Sequence, residues 1–215
     1  MTRLTCPRTV RLAAVALVAG TVVALSGCQP ITAGAAAVVE GQRLRESTVQ
    51  QDVAALAAQG GAGGAATGAL RRAAVQRWVY GEIVKAAARA ERVTVTDAQV
   101  NAQRAAIIAR SGEEGFRKAV LASGVPVEGG YELLRMVVTL DALGAALVPA
   151  EPGSDPLALS QQRQAAVAGA LVAQAQRLDI AVNPRYGSFD VASGSVVPTP
   201  SGGLAVDAGS LGTAR

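Results

Sequence analysis

The sequence predicts a mainly α-helical exported domain with a minimal two-stranded β pairing of its N- and C-terminal segments. Three observations carry this reading. Long stretches place apolar residues at three- and four-residue spacing. Helix caps and stops separate them, as in "VTDAQ", "SGV" and "SDP". Short β-branched runs stand near both ends of the region 36–190.

The chain opens with Arg3, Arg8 and Arg11, followed by an apolar run without acidic residues. That is the layout of a secretory signal. Its apolar core, residues 12–25, is 14 residues long, whereas a helix that stays in a bilayer needs about 20. Leu25-Ser26-Gly27-Cys28 resembles the lipobox of bacterial lipoproteins at every position. The resemblance implies cleavage between Gly27 and Cys28 and a palmitate-bearing diacylglycerol thioether on Cys28, with no other cofactor expected. Residues 1–27 are then the signal and residues 28–35 a tether. The first 28 residues hold no Arg-Arg pair, so the general secretion route is expected. The mature chain belongs on the outer face of the cytoplasmic membrane, held by lipid.

In "AAVVEGQRLRESTVQQDVAALAAQGG", Ala37-Val38-Val39 reads as a strand and Glu40-Gly41 as a turn. Ser47 or Thr48 serves as N-cap for a helix carrying Val49, Val53, Leu56 and Ala57, stopped by Gly60-Gly61. Residues 60–68 are a Gly-rich loop. A second helix over 69–90 has Leu70, Ala74, Trp78, Ile83 and Ala87 on its apolar face. Thr96 and Gln99 have capping-box spacing for a third, ending near Ser111-Gly112. Glu113 and Glu114 open a further helix through Phe116 and Val120, which Gly124 stops. The apolar helix that follows carries Tyr131 and Met136 and ends at Pro149; Glu132, Arg135 and Asp141 argue against a membrane span. Asp155-Pro156 caps the last helix. Ile180 and Val182 alternate like a strand, expected to pair with residues 37–39. Residues 191–215, rich in Gly, Ser, Pro and Val, read as a disordered tail.

Composition removes several classes of function. Without Arg3, Arg8 and Arg11 the 20 basic residues fall to 17 against 16 acidic ones, and no long basic run remains. Nucleic acid is therefore not an expected partner, and no polybasic stretch draws the chain to a membrane surface. The chain has no histidine, which excludes His-ligated metal sites, Ser-His-Asp and Cys-His catalysis and a histidine pH switch. Cys6 leaves with the signal and Cys28 takes lipid, so no disulfide is expected.

The order of these pieces carries a resemblance. "AAVVEGQRLRESTV" resembles the strand-and-helix opening of SurA-like and PrsA-like foldases, and "VTVTDAQV" and "GFRKAVLASGVPVEGGYELLRMVVTLDAL" continue it over residues 36–147. "VNPRYGSFD" is similar to the ending of related lipoproteins of high-GC Gram-positive bacteria. Glu40 stands where that family has Asn. The parvulin-type isomerase domain and its histidines are absent, with only "VPAEPGSDP" in its place. The resemblance implies a SurA N-terminal-like helical domain over 36–190 that binds unfolded exported polypeptides without prolyl isomerase activity.

Such a module needs an apolar, aromatic-bearing groove with a polar rim. Trp78, Phe116, Tyr131 and Met136 are the candidate peptide-binding residues, since aromatics are few and amphipathic helices carry these. The bland alternative for each is ordinary core. A second class of function is a structural or adaptor lipoprotein docking on one cell-envelope partner. An enzyme finds little support: Glu113-Glu114 complement a helix dipole, the glycines of 60–68 do not form a phosphate loop, and "NPRYG" reads as a turn with Tyr186 and Phe189 packing back on the helices.

Overall fold

The computed structural model describes residues 33–61 and 63–199. The signal, the cleavage site at Gly27 and Cys28, most of the tether and the tail from residue 200 lie outside the described residues. The fold is mainly α, with five helices among the described residues and a small antiparallel sheet.

The chain enters through β1 (Ala35–Val39), turns at Glu40-Gly41 and returns as β2 (Gln42–Arg45). Both turn residues have positive φ, 48° and 77°, the backbone a two-residue hairpin requires. On its other side β1 pairs antiparallel with β3 (Ile180–Val182), in the register Ala37 to Val182 and Val39 to Ile180. The expected tie between the two ends is therefore present, but the sheet has three strands in the order β2-β1-β3. Periodicity did not reveal β2, because four mostly polar residues with only Leu44 buried carry no alternation.

Helix α1 (Glu46–Ala58) follows β2 directly. Arg45 occupies its N-cap position without a side-chain cap, so Ser47 and Thr48 lie inside the helix. Val49, Val53 and Leu56 are buried as their spacing requires. Helix α2 (Thr67–Ala90) spans about 36 Å at 1.5 Å per residue and forms the spine of the main core through Val75, Val79, Ile83 and Val84. In α3 (Asp97–Ala122) the Thr96 hydroxyl accepts from the Gln99 backbone N–H at 3.3 Å, and the Gln99 side chain accepts from the Thr96 N–H at 2.8 Å. This helix is broken at Gly112, where φ is +71°. In a straight helix Arg104 and Phe116 would stand about 18 Å apart; here the Arg104 guanidinium lies 5.3 Å from the Phe116 ring. The second half folds back on the first, and the Arg104–Glu113 ion pair crosses the bend.

A 3-10 turn at Val127–Gly129 leads into α4 (Gly130–Leu147). Asp155 caps α5 (Pro156–Ala175) by accepting from the Leu157 N–H at 3.0 Å. After β3, "NPRYG" is the expected turn: the Asn183 carboxamide oxygen accepts from Arg185 N and Tyr186 N donates to Asn183 O. Tyr186 is buried and Phe189 packs against the same core. Gly187 has φ +131°, and a Cβ there collides with the Val197 carbonyl oxygen. The ordered domain continues past residue 190, for β4 (Ser188–Asp190) pairs with β5 (Ser195–Val197). Val196 is buried, and the Gln76 side chain on α2 bonds this hairpin at Gly194 O and Val196 N. The expected disordered tail thus loses its first seven residues to a hairpin.

Two apolar clusters result. The larger joins the sheet, α1, α2, α4 and α5 around Val49, Val75, Val79 and Leu143. The smaller joins the folded-back α3 to the start of α4 around Val100, Phe116, Val120 and Leu134. Helix α4 belongs to both, and the seam between them is open on one side.

Candidate functional site

That seam is a groove of about 570 Å³ between α1, α2, the 3-10 turn and α4, in the size range of ligand clefts. Its walls follow from helical periodicity. Thr48, Gln51, Asp52 and Ala55 line it from α1; Ala74, Arg77, Trp78, Gly81 and Lys85 from α2. Glu132, Leu133, Met136 and Thr139 line it from α4. Each set recurs at three- and four-residue intervals, so each helix presents a single stripe to the space. At Gly81 an added Cβ meets no atom within 4 Å; the missing side chain in the α2 stripe leaves that room open.

Of the four residues expected to line a peptide groove, Trp78 and Met136 do so, from α2 and α4. Both are partly buried, with one side against the main core. Phe116 is not in the groove: it is 8% exposed and sits in the smaller core. The reason is the bend at Gly112, which turns the Phe116 face inward against α4. Tyr131 is not in the groove either. It packs on the smaller core, donates to Asp97 Oδ1 at 3.0 Å, and lies beneath the Arg135 guanidinium at 5.3 Å. Sequence spacing missed Leu133, Val125 and Gly81, although the α2 stripe of Ala74, Trp78 and Gly81 was readable as a face interrupted by a glycine.

The rim mixes signs: Asp52, Glu82, Glu128 and Glu132 against Arg77, Lys85 and Arg135. Lys85 pairs with Glu82 at 2.9 Å. The Gln59 carboxamide donates to Glu128 at 2.9 Å and accepts from Val127 N at 2.9 Å, closing one end of the groove between α1 and the 3-10 turn. Arg77 Nη1 donates to Gly124 O at 2.8 Å and fixes the loop after α3. Burial pushes the Asp52 carboxyl above its ordinary range, against the pull of Arg77. Burial likewise lowers the Arg77 guanidinium, against the pull of Asp52. For both residues the loss of water outweighs their mutual attraction. Arg135 bonds Asp97, Tyr131 and the Val95 carbonyl, and so latches the start of α3 to α4. That network, led by the Arg135 hydrogen bond, holds the Asp97 carboxyl below its usual range.

A depression of about 610 Å³ between α4 and α5 holds none of the four residues, and its Arg163 is committed to the Val148 carbonyl at 2.9 Å. Among the described residues no cluster of Cys, Asp and Glu is placed to hold a metal ion, and no helix is long and apolar enough to cross a membrane. The groove therefore offers apolar contact with a charged margin. No family model, no curated protein and no solved structure matches the chain.

Proposed function

We propose that the chain is a membrane-anchored exported lipoprotein that holds unfolded segments of other exported proteins, a chaperone-type holdase without prolyl isomerase activity. One observation carries the reading: the groove joins a tryptophan and a methionine with a rim of both charge signs. Methionine adapts its shape to varied partners, tryptophan contributes large contact area, and mixed rim charge tolerates clients of either sign. A cleft of this size takes a few side chains at a time, which favours weak, reversible capture of an extended segment. The likeness of "AAVVEGQRLRESTV" and "VTVTDAQV" to foldase sequences supports the same class.

Trp78 is the sole tryptophan of the chain, so its emission reports the groove directly. Titration with unrelated, unstructured apolar peptides is expected to shift that emission toward the blue, with saturation for several of them. Unchanged emission with every peptide, together with crosslinking to one folded envelope protein in fixed stoichiometry, would place the chain among adaptor lipoproteins instead.

A further inference from the structure

We propose that the arginine-bearing end of the sheet is a docking face for anionic lipid headgroups, which orients the domain on the membrane. The inference rests on the lipid anchor at Cys28. Four separate segments meet where the chain enters β1. Ala35 stands opposite Arg45. The Asn183 carboxamide donates to Ala35 O and to Glu46 Oε1, both at 3.1 Å, and brings the 183–187 turn to the same end. Arg185 lies 3.6 Å from Glu46, with its side chain 73% exposed. Arg72 donates from Nε to Tyr186 O at 3.2 Å, and the neighbouring Arg71 has a buried Nε without a hydrogen-bond partner. Arginines 45, 71, 72 and 185 thus gather at this end of the sheet, where Arg185 pairs with Glu46. The N-terminal end of α1, positive by its dipole, opens at the same place.

The other end of β1 is mixed in charge, with Arg43 opposite Val38 and Arg177 just before Asp179. Val39 leads into Glu40, whose carboxylate accepts from the backbone N–H of Asp179 at 2.8 Å. The arginine excess therefore lies at one end of a strand of about 17 Å, and the charges at the other end balance. The tether adds position to charge. From Cys28 to Gly34 is six residues, which reach at most about 20 Å, and the chain enters the sheet at its arginine end. Arginine matches phosphate geometry through its planar fork. No run in the sequence shows this patch, because folding assembles it from residues far apart in the chain.

The test uses the mature lipidated protein reconstituted into vesicles of phosphatidylcholine with or without phosphatidylglycerol. A fluorophore is placed through Ser47→Cys at the arginine end or Gln42→Cys at the opposite end; both positions are exposed. Quenching is read from spin-labelled headgroups. An arginine near an anionic surface is worth about fivefold in partitioning. Quenching at position 47 is expected to exceed that at 42 at least severalfold on anionic vesicles. High salt, or Arg45→Gln with Arg185→Gln, is expected to erase most of that difference. Equal quenching at the two positions, or a difference that is the same without phosphatidylglycerol, overturns the docking face. Flotation with zwitterionic vesicles tests the anchor separately. If wild type fails to float, or Cys28→Ala carries the same acyl label as wild type, the anchor falls and the docking face with it.

Discussion

Replacing Asn183 by alanine removes three hydrogen bonds from the junction of the chain's two ends. Its side-chain nitrogen donates to Ala35 O and to Glu46 Oε1 at 3.1 Å, and its oxygen accepts from Arg185 N at 3.1 Å. Ala35 has no exposed surface, so water cannot readily replace the donor its carbonyl loses. Two neutral bonds at about 1 kcal/mol each and one to a carboxylate at about 1.5 kcal/mol or more give roughly 3 kcal/mol, allowing for non-additivity. That shifts the melting temperature of a domain this size by about 6–12 °C. Urea unfolding of the mature protein, followed by far-ultraviolet circular dichroism, measures it. Asn183→Asp provides the control, because it keeps the acceptor for Arg185 but sets a carboxylate against Glu46. It is expected to cost at least as much as alanine at neutral pH and to recover as the pH falls through the carboxylate range. An alanine variant losing less than about 1 kcal/mol, or an aspartate variant more stable than alanine at neutral pH, would refute the reasoning.

Three further outcomes follow from single positions. Gly187→Ala, at φ +131° with a Cβ driven into the Val197 carbonyl, is expected to cost at least about 2 kcal/mol and to release the β4–β5 hairpin, seen as faster amide exchange at Val196. Leu143→Ala empties a fully buried site between α4 and its neighbours and is expected to cost about 3 kcal/mol in the same unfolding experiment. Asp52 holds its proton more tightly folded than unfolded, so its stability contribution is complete below about pH 4 and is lost as pH rises through its folded value. Asp52→Asn is therefore expected to be more stable than wild type at pH 7 and equal to it below about pH 4; a less stable variant at neutral pH would show that attraction to Arg77 outweighs burial.

Much of the framework was legible because it rests on local chemistry. Thr96 with Gln99, Asp155 with Pro156, and Glu40-Gly41 each specify a backbone geometry within four residues, and each forms as expected. The pairing of residues 37–39 with 180–182 was legible from two β-branched runs with few competitors. Two of the misses share a cause, dependence on tertiary contact. Strand β5 is three residues long and is fixed by the Gln76 side chain from α2, which no local pattern announces. Phe116 has the same amphipathic spacing as a groove residue, and only the bend at Gly112 decides that it faces the smaller core. Trp78 and Met136, 58 residues apart in sequence, line one groove because both lie on helices that border it. The arginine face was not legible at all, since its members come from β2, α2 and the turn after β3.

The most direct test of the groove uses Gly81→Leu. A side chain there meets no neighbour at its Cβ and leucine is the better helix former, so the fold should stand while part of the groove fills. A chemically unfolded client is diluted into buffer with the mature protein, and aggregation is followed by light scattering. Wild type is predicted to suppress aggregation of several unrelated clients at near-stoichiometric ratios, with Gly81→Leu and Trp78→Ala losing most of that effect while keeping wild-type circular dichroism. Suppression undiminished in both variants, or none by wild type for any client, would contradict the assignment of this groove as a site that holds unfolded chains.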